Sequence, residues 1–175
     1  LWLGTDRGLI VYNGYEDEIL ASLQSFEIVC LNKNKASIYA GSRTGQVFKI
    51  EAGDHSRITT LPAFTKSKIS DIESSGDGGL WIASYGDGLF RVDQDSLITP
   101  VQAIKTKDIY DLNTAKDGSL YIASDQGVAV LSGTGTMASV TAIPKLPDYI
   151  IVKLCRSARG TIIAATYDRQ IFEIG

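Results

Sequence analysis

The sequence has only one histidine, two cysteines and one methionine among its 175 residues. The two cysteines, Cys30 and Cys155, cannot build a disulfide framework. A single histidine without cysteine partners supports no metal site. Basic residues are also few, because 17 lysines and arginines stand against 20 acidic residues, giving a net charge of −3. Phosphate contacts need concentrated basic side chains, so this composition argues against nucleic acid as a partner.

Long apolar runs and helical periodicity are also lacking. No stretch approaches the ~18 consecutive apolar residues of a membrane helix, and no signal peptide is recognisable. Glu16–Gln24 is the nearest candidate for a helical turn, and everything else favours β-structure. We therefore expect an all-β chain without a membrane segment, and its 44% hydrophobic content is enough for one core.

Short apolar strands separated by glycine turns, in contrast, recur along the whole chain. The stretch Asp77–Asp93, DGGLWIASYGDGLFRVD, predicts two strands joined by a glycine turn. The related stretches are Leu1–Tyr12, Ser37–Ile50, Asp117–Leu131 and Gly160–Ile174. Their anchor positions, at spacings of 37, 42, 40 and 42, are Trp2, Tyr39, Trp81, Tyr121 and Ile163. A period of about 40 residues with several strands per repeat is typical of a β-propeller.

The predicted fold is an all-β propeller segment of about four and a half four-stranded antiparallel blades. The half blade covers residues 1–14, and the blades cover about 15–53, 54–93, 94–133 and 134–175. Each blade is expected to begin with its innermost strand, placed at Glu16–Ser25, Ile58–Leu61, Leu97–Ile104 and Val140–Ile143. Because the chain begins inside a repeat, we expect a single domain, or a fragment of one, within a larger propeller of about seven blades.

The unit DIESSGDGGLWIASYGDGLFRVD resembles the two-component regulator propeller repeat. That family's pattern places Asp-Gly before Leu-Trp-Ile and a small residue, followed by a short turn, Gly-Leu, an aromatic, a basic residue and Asp. The matching positions are Asp77, Gly78, Leu80, Trp81, Ile82, Ala83, Ser84, Gly88, Leu89, Phe90, Arg91 and Asp93. The copy at Leu1 matches well, whereas the copies at Ser37 and Gly160 lack the tryptophan and the Asp-Gly.

The resemblance implies a ligand-sensing segment, periplasmic or otherwise extracytoplasmic, of a two-component sensor such as a hybrid histidine kinase. The partners it implies are an oligosaccharide or other small ligand, the remaining blades of the parent propeller, and a second copy of the chain in a homodimer. The family has no fixed catalytic motif, so the segment is expected not to be an enzyme and to carry no cofactor. A glycosidase or lyase propeller fragment and a protein-interaction platform remain the alternatives, since fold alone does not decide function.

One position of the repeat carries side chains of differing charge and supplies the candidate binding residues. The third residue of the strand before each hairpin is Cys30, Asp71, Asp111 or Lys153, and the last three are the ligand-binding candidates. A varied position on a repeated framework favours a binding face. The alternative is that these side chains bond nearby backbone groups, as short aspartates commonly do.

Other polar and aromatic residues are assigned simpler roles. Asp77 and Asp117 are predicted to be turn residues, and His55 a solvated loop residue. The stretch SSGDGGLW comes near the Asp-box of sialidase-type propellers, but its aromatic falls one place early. Five tyrosines have two interpretations: they are aromatic platforms for sugars at loop ends, or they are ordinary packing residues. These are Tyr12, Tyr15, Tyr85, Tyr149 and Tyr167.

Overall fold

The computed structural model describes residues 1–94, 96–133, 139–144, 146 and 149–174. These residues form β-strands almost throughout, with one turn of 3₁₀ helix, η1 (Ala21–Leu23). The strands are β1 (Trp2–Thr5), β2 (Gly8–Tyr12), β3 (Asp17–Ile19), β4 (Ile28–Asn34), β5 (Ser37–Ser42), β6 (Val47–Glu51), β7 (Asp54–Thr60), β8 (Ile69–Ser74), β9 (Leu80–Ser84), β10 (Gly88–Val92), β11 (Ile98–Pro100), β12 (Ile109–Thr114), β13 (Leu120–Ser124), β14 (Gly127–Ser132), β15 (Ser139–Ala142), β16 (Ile151–Arg156), β17 (Ile162–Thr166) and β18 (Ile171–Ile174).

The strands form five antiparallel sheets, in each of which a strand pairs with the next strand along the chain. The first sheet contains β1 to β3, the second β4 to β7, the third β8 to β11, the fourth β12 to β15 and the fifth β16 to β18. Tight turns explain this order, since antiparallel neighbours need only a few connecting residues. The all-β prediction is confirmed.

Neighbouring sheets meet through their first strands. Strands β4, β8, β12 and β16 contact one another in turn, and β1 contacts β4. The second strands β5, β9 and β13 in turn contact the first strand of the following sheet. The sheets therefore converge along their first strands and splay outward, which is the arrangement of propeller blades.

An apolar cluster fills each interface between successive sheets. Leu9, Ile38 and Phe48 belong to the cluster between the first and second sheets. The other three clusters lie between the second and third, the third and fourth, and the fourth and fifth sheets. Trp81 is buried in the cluster between the third and fourth sheets, so the anchor position packs against the following sheet. Burial on both faces explains the unbroken apolar run of β9.

The predicted position of the innermost strand is wrong by one strand. Glu16–Ser25 was expected to open a new blade, but β3 within it pairs with β2 at the outer edge of the first sheet. The cause is a tight turn, in which the Asn13 side chain accepts hydrogen bonds from the backbone N–H groups of Tyr15 and Glu16, both at 2.9 Å. A chain reversed so sharply returns to the strand it has just left.

The same shift affects the later repeats. The segments Ile58–Leu61, Leu97–Ile104 and Val140–Ile143 overlap β7, β11 and β15, which pair with the third strands of their own sheets. The sheets therefore begin at Ile28, Ile69, Ile109 and Ile151. Whether the chain is a single domain or a fragment of one stays a prediction.

His55 is not the loop residue that was predicted, because it lies in β7. Its side chain is 27% exposed, its ring meets the ring of Trp2 at 4.9 Å, and its Nδ1 lies 3.1 Å from Glu18. His55 thus joins the second sheet to the first. The Ser132–Ser139 loop falls largely outside the described residues, as does Pro147. No helix among the described residues is long and apolar enough to cross a membrane.

Candidate functional site

A repeated backbone contact defines one end of the second to fifth sheets. In each of them, the residue after the second strand donates its N–H to the carbonyl oxygen of the residue before the first strand. These pairs are Arg43 with Glu27 (2.9 Å), Tyr85 with Lys68 (2.9 Å), Asp125 with Asp108 (3.4 Å) and Tyr167 with Ile150 (2.9 Å). The two residues of each pair therefore have adjacent side chains at this end of the sheet. Because only their backbone atoms form the hydrogen bond, the side chains can differ from one sheet to the next.

A β-bulge adds a third variable side chain in each sheet. The pairing of β8 with β9 passes from Ile69 directly to Asp71 and leaves Ser70 without a partner residue. Equivalent irregularities leave Val29, Tyr110 and Val152 unpaired in the second, fourth and fifth sheets. A bulge inserts one extra residue and redirects its side chain.

These positions enclose a groove of about 700 Å³ along the first strands. Its lining residues are Arg43, Lys68, Ser70, Tyr85, Tyr110, Ile150, Val152 and Tyr167. A smaller cavity of about 250 Å³ adjoins it and is lined by Tyr149, Ile150, Tyr167 and Asp168. The groove volume lies within the range of small-molecule binding sites, which are concave and combine aromatic side chains with a few polar groups.

Three tyrosines dominate the groove surface. Tyr85 and Tyr167 are 47% and 77% exposed. The ring of Tyr110 meets that of Tyr85 at 5.5 Å between centroids and an interplanar angle of 56°. Burial, followed by the influence of Tyr85, raises the pKa of Tyr110 above its ordinary value. The Tyr110 hydroxyl therefore remains protonated near neutral pH, and all three tyrosine hydroxyls are groups that can donate or accept hydrogen bonds.

The groove also has an uneven set of polar groups. Arg43 forms an ion pair with Glu27 at 2.5 Å between Nε and Oε2, and this contact lowers the pKa of Glu27. Lys68 forms no such ion pair among the described residues. The Ser70 hydroxyl is shielded from solvent and has no hydrogen-bond partner within the described part of the chain. A buried polar atom left unpaired is uncommon and calls for an explanation, such as a bound ligand or water.

The predicted candidates Asp71, Asp111 and Lys153 lie beside the groove but do not line it. Each is the residue after a bulge, and the two aspartates reach from one sheet to the next. Asp71 Oδ2 accepts a hydrogen bond from the Leu112 N–H at 2.9 Å, and Asp111 Oδ2 accepts one from the Leu154 N–H at 2.6 Å. Their ligand-binding role stays a prediction, whereas their bonds between sheets are evident.

These carboxylates compensate for the unpaired edges of the first strands. Leu112 and Leu154 lie on strands that pair on one side only, so their N–H groups would otherwise be buried without acceptors. Lys153 Nζ donates to Asp111 Oδ1 at 2.5 Å, which extends the chain of polar contacts over three sheets. At the same position, the Cys30 thiol lies 3.9 Å from the Ile69 carbonyl oxygen, and burial raises its pKa.

Loss of solvent shifts the pKa values of the two aspartates, whereas the Lys153 side chain is 67% exposed. It raises the pKa of Asp71 to about 7, and the negative charge of Asp111 acts in the same direction. Burial also raises the pKa of Asp111, although Lys153 opposes the change. For Lys153, the loss of solvent would lower the pKa, but the hydrogen bond to Asp111 and the negative charges of Asp111 and Asp71 together outweigh that effect, and the pKa is raised.

The tyrosines considered in the sequence separate into two groups. Tyr85, Tyr149 and Tyr167 line the groove or its side cavity, whereas Tyr12 and Tyr15 lie with the first sheet and line neither. Tyr110 was not recognised, although it occupies the bulge position and could have been found by comparing residues 29, 70, 110 and 152 at the repeat spacing.

A second cavity, of about 350 Å³, lies near the turns that precede the second strands of the third and fourth sheets. Its carboxylates are already engaged: Asp77 accepts two hydrogen bonds from Arg91 Nη2, at 2.5 and 2.6 Å, and Asp117 accepts one from the Ser119 N–H at 3.0 Å. Hydrogen bonds from Ser75 and Arg91 lower the pKa of Asp77 to about 2. Asp77 and Asp117 therefore stabilise the turns in which they lie. Because their carboxylates are already bonded, the groove is the better candidate site.

Metal ligation receives no support from the geometry. Within the described ranges, no three His, Cys, Asp or Glu side chains are placed to share an ion.

Comparison with known proteins gives likeness in structure but not in sequence. No protein-family model matches the chain, and a sequence comparison with curated proteins gives no match. A streptogramin B lyase structure has a TM-score of 0.73 at 13% identity, covering 96% of this chain and 61% of the lyase. The extracellular domain of a protein assigned as a hybrid two-component system from B. thetaiotaomicron has a TM-score of 0.72 at 18% identity, covering 98% and 27%.

A third similar structure is a protein assigned as a gluconolactonase, with a TM-score of 0.70 at 14% identity, covering 97% of this chain and 67% of that protein. The chain thus spans about three fifths of the lyase and about a quarter of the sensor domain. These similar structures establish the propeller fold of the chain. They include the extracellular domain of a two-component system.

The prediction that the segment is not an enzyme needs correction. It rested on the lack of a recognisable catalytic motif, yet the similar structures include propeller enzymes, a streptogramin B lyase and a gluconolactonase-like protein. One fold hosts many functions, and a site is recognised by its geometry, so a missing linear motif says little about activity. The chain is an all-β propeller segment whose similar structures include both sensor domains and enzymes.

Proposed function

We propose that the chain is a ligand-sensing segment of an extracytoplasmic two-component sensor and that its ligand, an oligosaccharide, binds in the groove. The observation that carries this proposal is the convergence of Tyr85, Tyr110 and Tyr167 on one groove from three successive sheets. Aromatic rings offer apolar faces to sugar rings, while tyrosine hydroxyls and a serine can bond sugar hydroxyls. The resemblance of the repeats and the likeness to sensor domains support the sensing role.

A ligand that spans the groove would contact several sheets at once. Tyr85 belongs to the third sheet, Tyr110 to the fourth and Tyr167 to the fifth. Because each sheet supplies its own part of the site, occupancy would favour one spacing of the first strands over others. A ligand with such a preference shifts the population of sheet arrangements, and this shift is the signal that we propose.

The experiment is a thermal-shift screen of the chain against neutral and acidic oligosaccharides, followed by isothermal titration calorimetry. Tyr85→Ala is expected to weaken the binding of a hit by about tenfold or more, since it removes an aromatic platform. Tyr15→Ala, which truncates a fully exposed tyrosine of the first sheet, is the control and is expected to bind normally. Failure of every oligosaccharide to bind the folded chain would refute the proposal.

An enzyme acting at the same groove is the second candidate function, favoured by the likeness to the lyase and gluconolactonase-like structures. It is distinguished by chromatography of each bound oligosaccharide after prolonged incubation with the chain. An intact ligand supports sensing. Cleavage products that no longer form with the Tyr110→Phe or Tyr85→Phe variant would show that the groove is the active site of an enzyme.

A further inference from the structure

The charge of the groove is concentrated on Lys68. The two charged side chains that line the groove in the described structure are basic, Arg43 and Lys68. Glu27 neutralises Arg43 at 2.5 Å, whereas Lys68 forms no ion pair with a described residue. The charge of Lys68 also lowers the pKa of Glu27, but the carboxylate of Glu27 is bonded to Arg43. An ammonium group without an ion-pair contact of its own, beside a concave aromatic surface, favours a negatively charged ligand group.

The backbone places Lys68 beside an aromatic platform. Its carbonyl oxygen accepts the Tyr85 N–H at 2.9 Å, so the side chains of Lys68 and Tyr85 leave the third sheet at adjacent points. Ser70, two residues further on, lines the groove, although its hydroxyl is shielded from solvent and has no protein partner among the described residues. A cation and a ring face are thus adjacent at this end of the third sheet.

The next sheet restricts where an anionic group can lie. The pair at the end of the fourth sheet is Asp108 with Asp125, and Asp125 accepts a hydrogen bond from Thr106 at 2.7 Å. Both carboxylates act on the neighbouring Tyr110 and raise its pKa, after the larger effects of burial and Tyr85. A negative charge placed near the fourth sheet would be repelled, so the third sheet, at Lys68, is the favourable position.

We propose that the groove selects an acidic oligosaccharide, with a carboxylate or sulfate group on Lys68 and the sugar ring that bears it against Tyr85. This inference rests on the proposed function and adds the chemical class of its ligand. The shared chemistry is a single anionic group carried on a sugar ring. Neutral oligosaccharides would lose the charge-assisted bond to Lys68 and keep only the ring contacts.

Calorimetry with matched ligands tests the charge requirement. One pair is oligogalacturonate and its fully methyl-esterified form, which have the same sugar skeleton with and without carboxylates. The second pair is a sulfated chondroitin oligosaccharide and its desulfated form, which keeps its carboxylates, so a difference within this pair identifies sulfate, and not carboxylate, as the recognised group. At least one acidic ligand is expected to bind about tenfold or more tightly than its matched form, in keeping with a hydrogen bond to a charged group.

Lys68→Gln assigns the effect to one residue. The variant is expected to reduce the affinity for the tighter-binding acidic ligand about tenfold and to leave the affinity for its matched form, which lacks the recognised anionic group, unchanged. Lys66→Gln removes the same charge from an exposed site in the same loop and is expected to change neither. Thermal midpoints of both variants verify that they fold.

The outcomes separate this inference from the function on which it rests. Equal binding within both pairs, unaffected by Lys68→Gln but lost in Tyr85→Ala, would overturn the acidic-ligand inference and leave the sensing proposal intact. Absence of binding by any of the four oligosaccharides, together with no hit in the wider screen, would overturn both.

Discussion

At the residue scale, Arg169 stands where a glycine is favoured. The outer hairpin turns of the first four sheets carry Gly8, Gly45, Gly88 and Gly127, all with positive φ. In the fifth sheet the same position is Arg169, which adopts φ 71°. A residue with a Cβ atom is strained in this left-handed region, whereas glycine adopts it without steric cost.

Arg169→Gly is therefore expected to stabilise the chain by about 1 kcal/mol, because the relief of backbone strain exceeds the added flexibility of the unfolded chain. The measurement is urea unfolding followed by circular dichroism. Arg159→Gly is the matched control, since Arg159 is also exposed but does not have a positive φ. It should be neutral or slightly destabilising, and an equal gain in both variants would contradict the strain explanation.

Single-residue bulges also limit how well the site can be predicted from sequence. The varied framework position was recognised, but it was assigned to Asp71, Asp111 and Lys153 and not to the residues immediately before them. In an unbroken strand, neighbouring side chains face opposite sides, so one inserted residue exchanges the groove-facing and sheet-facing roles. The sequence contains no clear mark of the bulge before Asp71, because Ile69, Ser70 and Asp71 fit a regular strand equally well.

At the element scale, side chains that accept backbone N–H groups link the first strands of the third, fourth and fifth sheets, in addition to the apolar clusters. Asp71 and Glu73 lie on β8 and bond residues of β12. Asp71 accepts the Leu112 N–H, and Glu73 Oε1 accepts the Thr114 N–H, both at 2.9 Å. Edge strands expose unpaired N–H groups, and here the neighbouring sheet supplies their acceptors. The polar residues of these otherwise apolar strands are thus explained by contact between sheets.

The raised pKa of Asp71 predicts a dependence of stability on pH. The folded-state pKa, about 7, lies above the unfolded value of 3.8. A group of this kind stabilises the fold fully below the unfolded pKa, and its contribution is lost as pH rises through the folded pKa. The free energy of unfolding should therefore decline between about pH 4 and pH 7. The decline should be larger than the change that the exposed carboxylates alone would cause.

Asp71→Asn tests this assignment, because asparagine does not titrate. Asp71 accepts N–H bonds from Ile72 and Leu112, both at 2.9 Å, and the amide nitrogen of asparagine can accept neither. The variant is therefore expected to be less stable overall, but its stability should change less steeply over the same pH range. Denaturant unfolding at several pH values measures the slope. Asp6→Asn, an exposed turn substitution, should keep the wild-type slope. A variant slope as steep as that of the wild type would show that Asp71 is ionised throughout.

Strands and turns were predictable at this scale, but the grouping of strands into sheets was not. Hydrophobic pattern and glycine position located the hairpins of β9 with β10 and β13 with β14 well. They could not show whether Ile58 and its neighbours pair backward or forward, because both arrangements bury the same apolar side chains. The turn at residues 52–53 decides this, since β7 begins at Asp54 and returns directly onto β6.

At the scale of the whole molecule, the first and last sheets expose more apolar surface than the middle ones. Leu1, Tyr15, Tyr167 and Ile171 are all largely exposed. Strand β18 lies at the edge of a three-stranded sheet, with one side unpaired in the described structure. Unpaired edges with apolar side chains favour association with another sheet. We propose that further blades or a second copy of the chain cover these faces.

Ile171→Lys is expected to weaken self-association of the chain, because a lysine on an edge strand opposes pairing with another strand. Sedimentation velocity over a range of concentrations measures the effect, with the wild type showing a rise in sedimentation coefficient and the variant a smaller one. Leu97→Lys is the matched control: Leu97 is 62% exposed on the third sheet, compared with 74% for Ile171 on the fifth. A wild-type chain that stays monomeric at every concentration would contradict cover by a second copy and favour further blades.

The repeat spacing predicted the propeller because one hydrophobic unit recurs on a constant period, and such a unit has few ways to bury both of its faces. Function does not follow from that argument. Sensor domains and enzymes share the fold, and what distinguishes them lies in the variable residues at the groove, such as Lys68, Tyr85 and Tyr110.

The most direct test of the account is to locate the ligand by two-dimensional NMR of the ¹⁵N-labelled chain during titration with an oligosaccharide found in the screen. The account predicts that the largest backbone shifts cluster at the groove, at Lys68, Ser70, Tyr85, Tyr110 and Tyr167. Shifts concentrated at the cavity of about 350 Å³, around Ser75, Asp117 and Ser132, would contradict the account. They would place the site at the turns that precede the second strands.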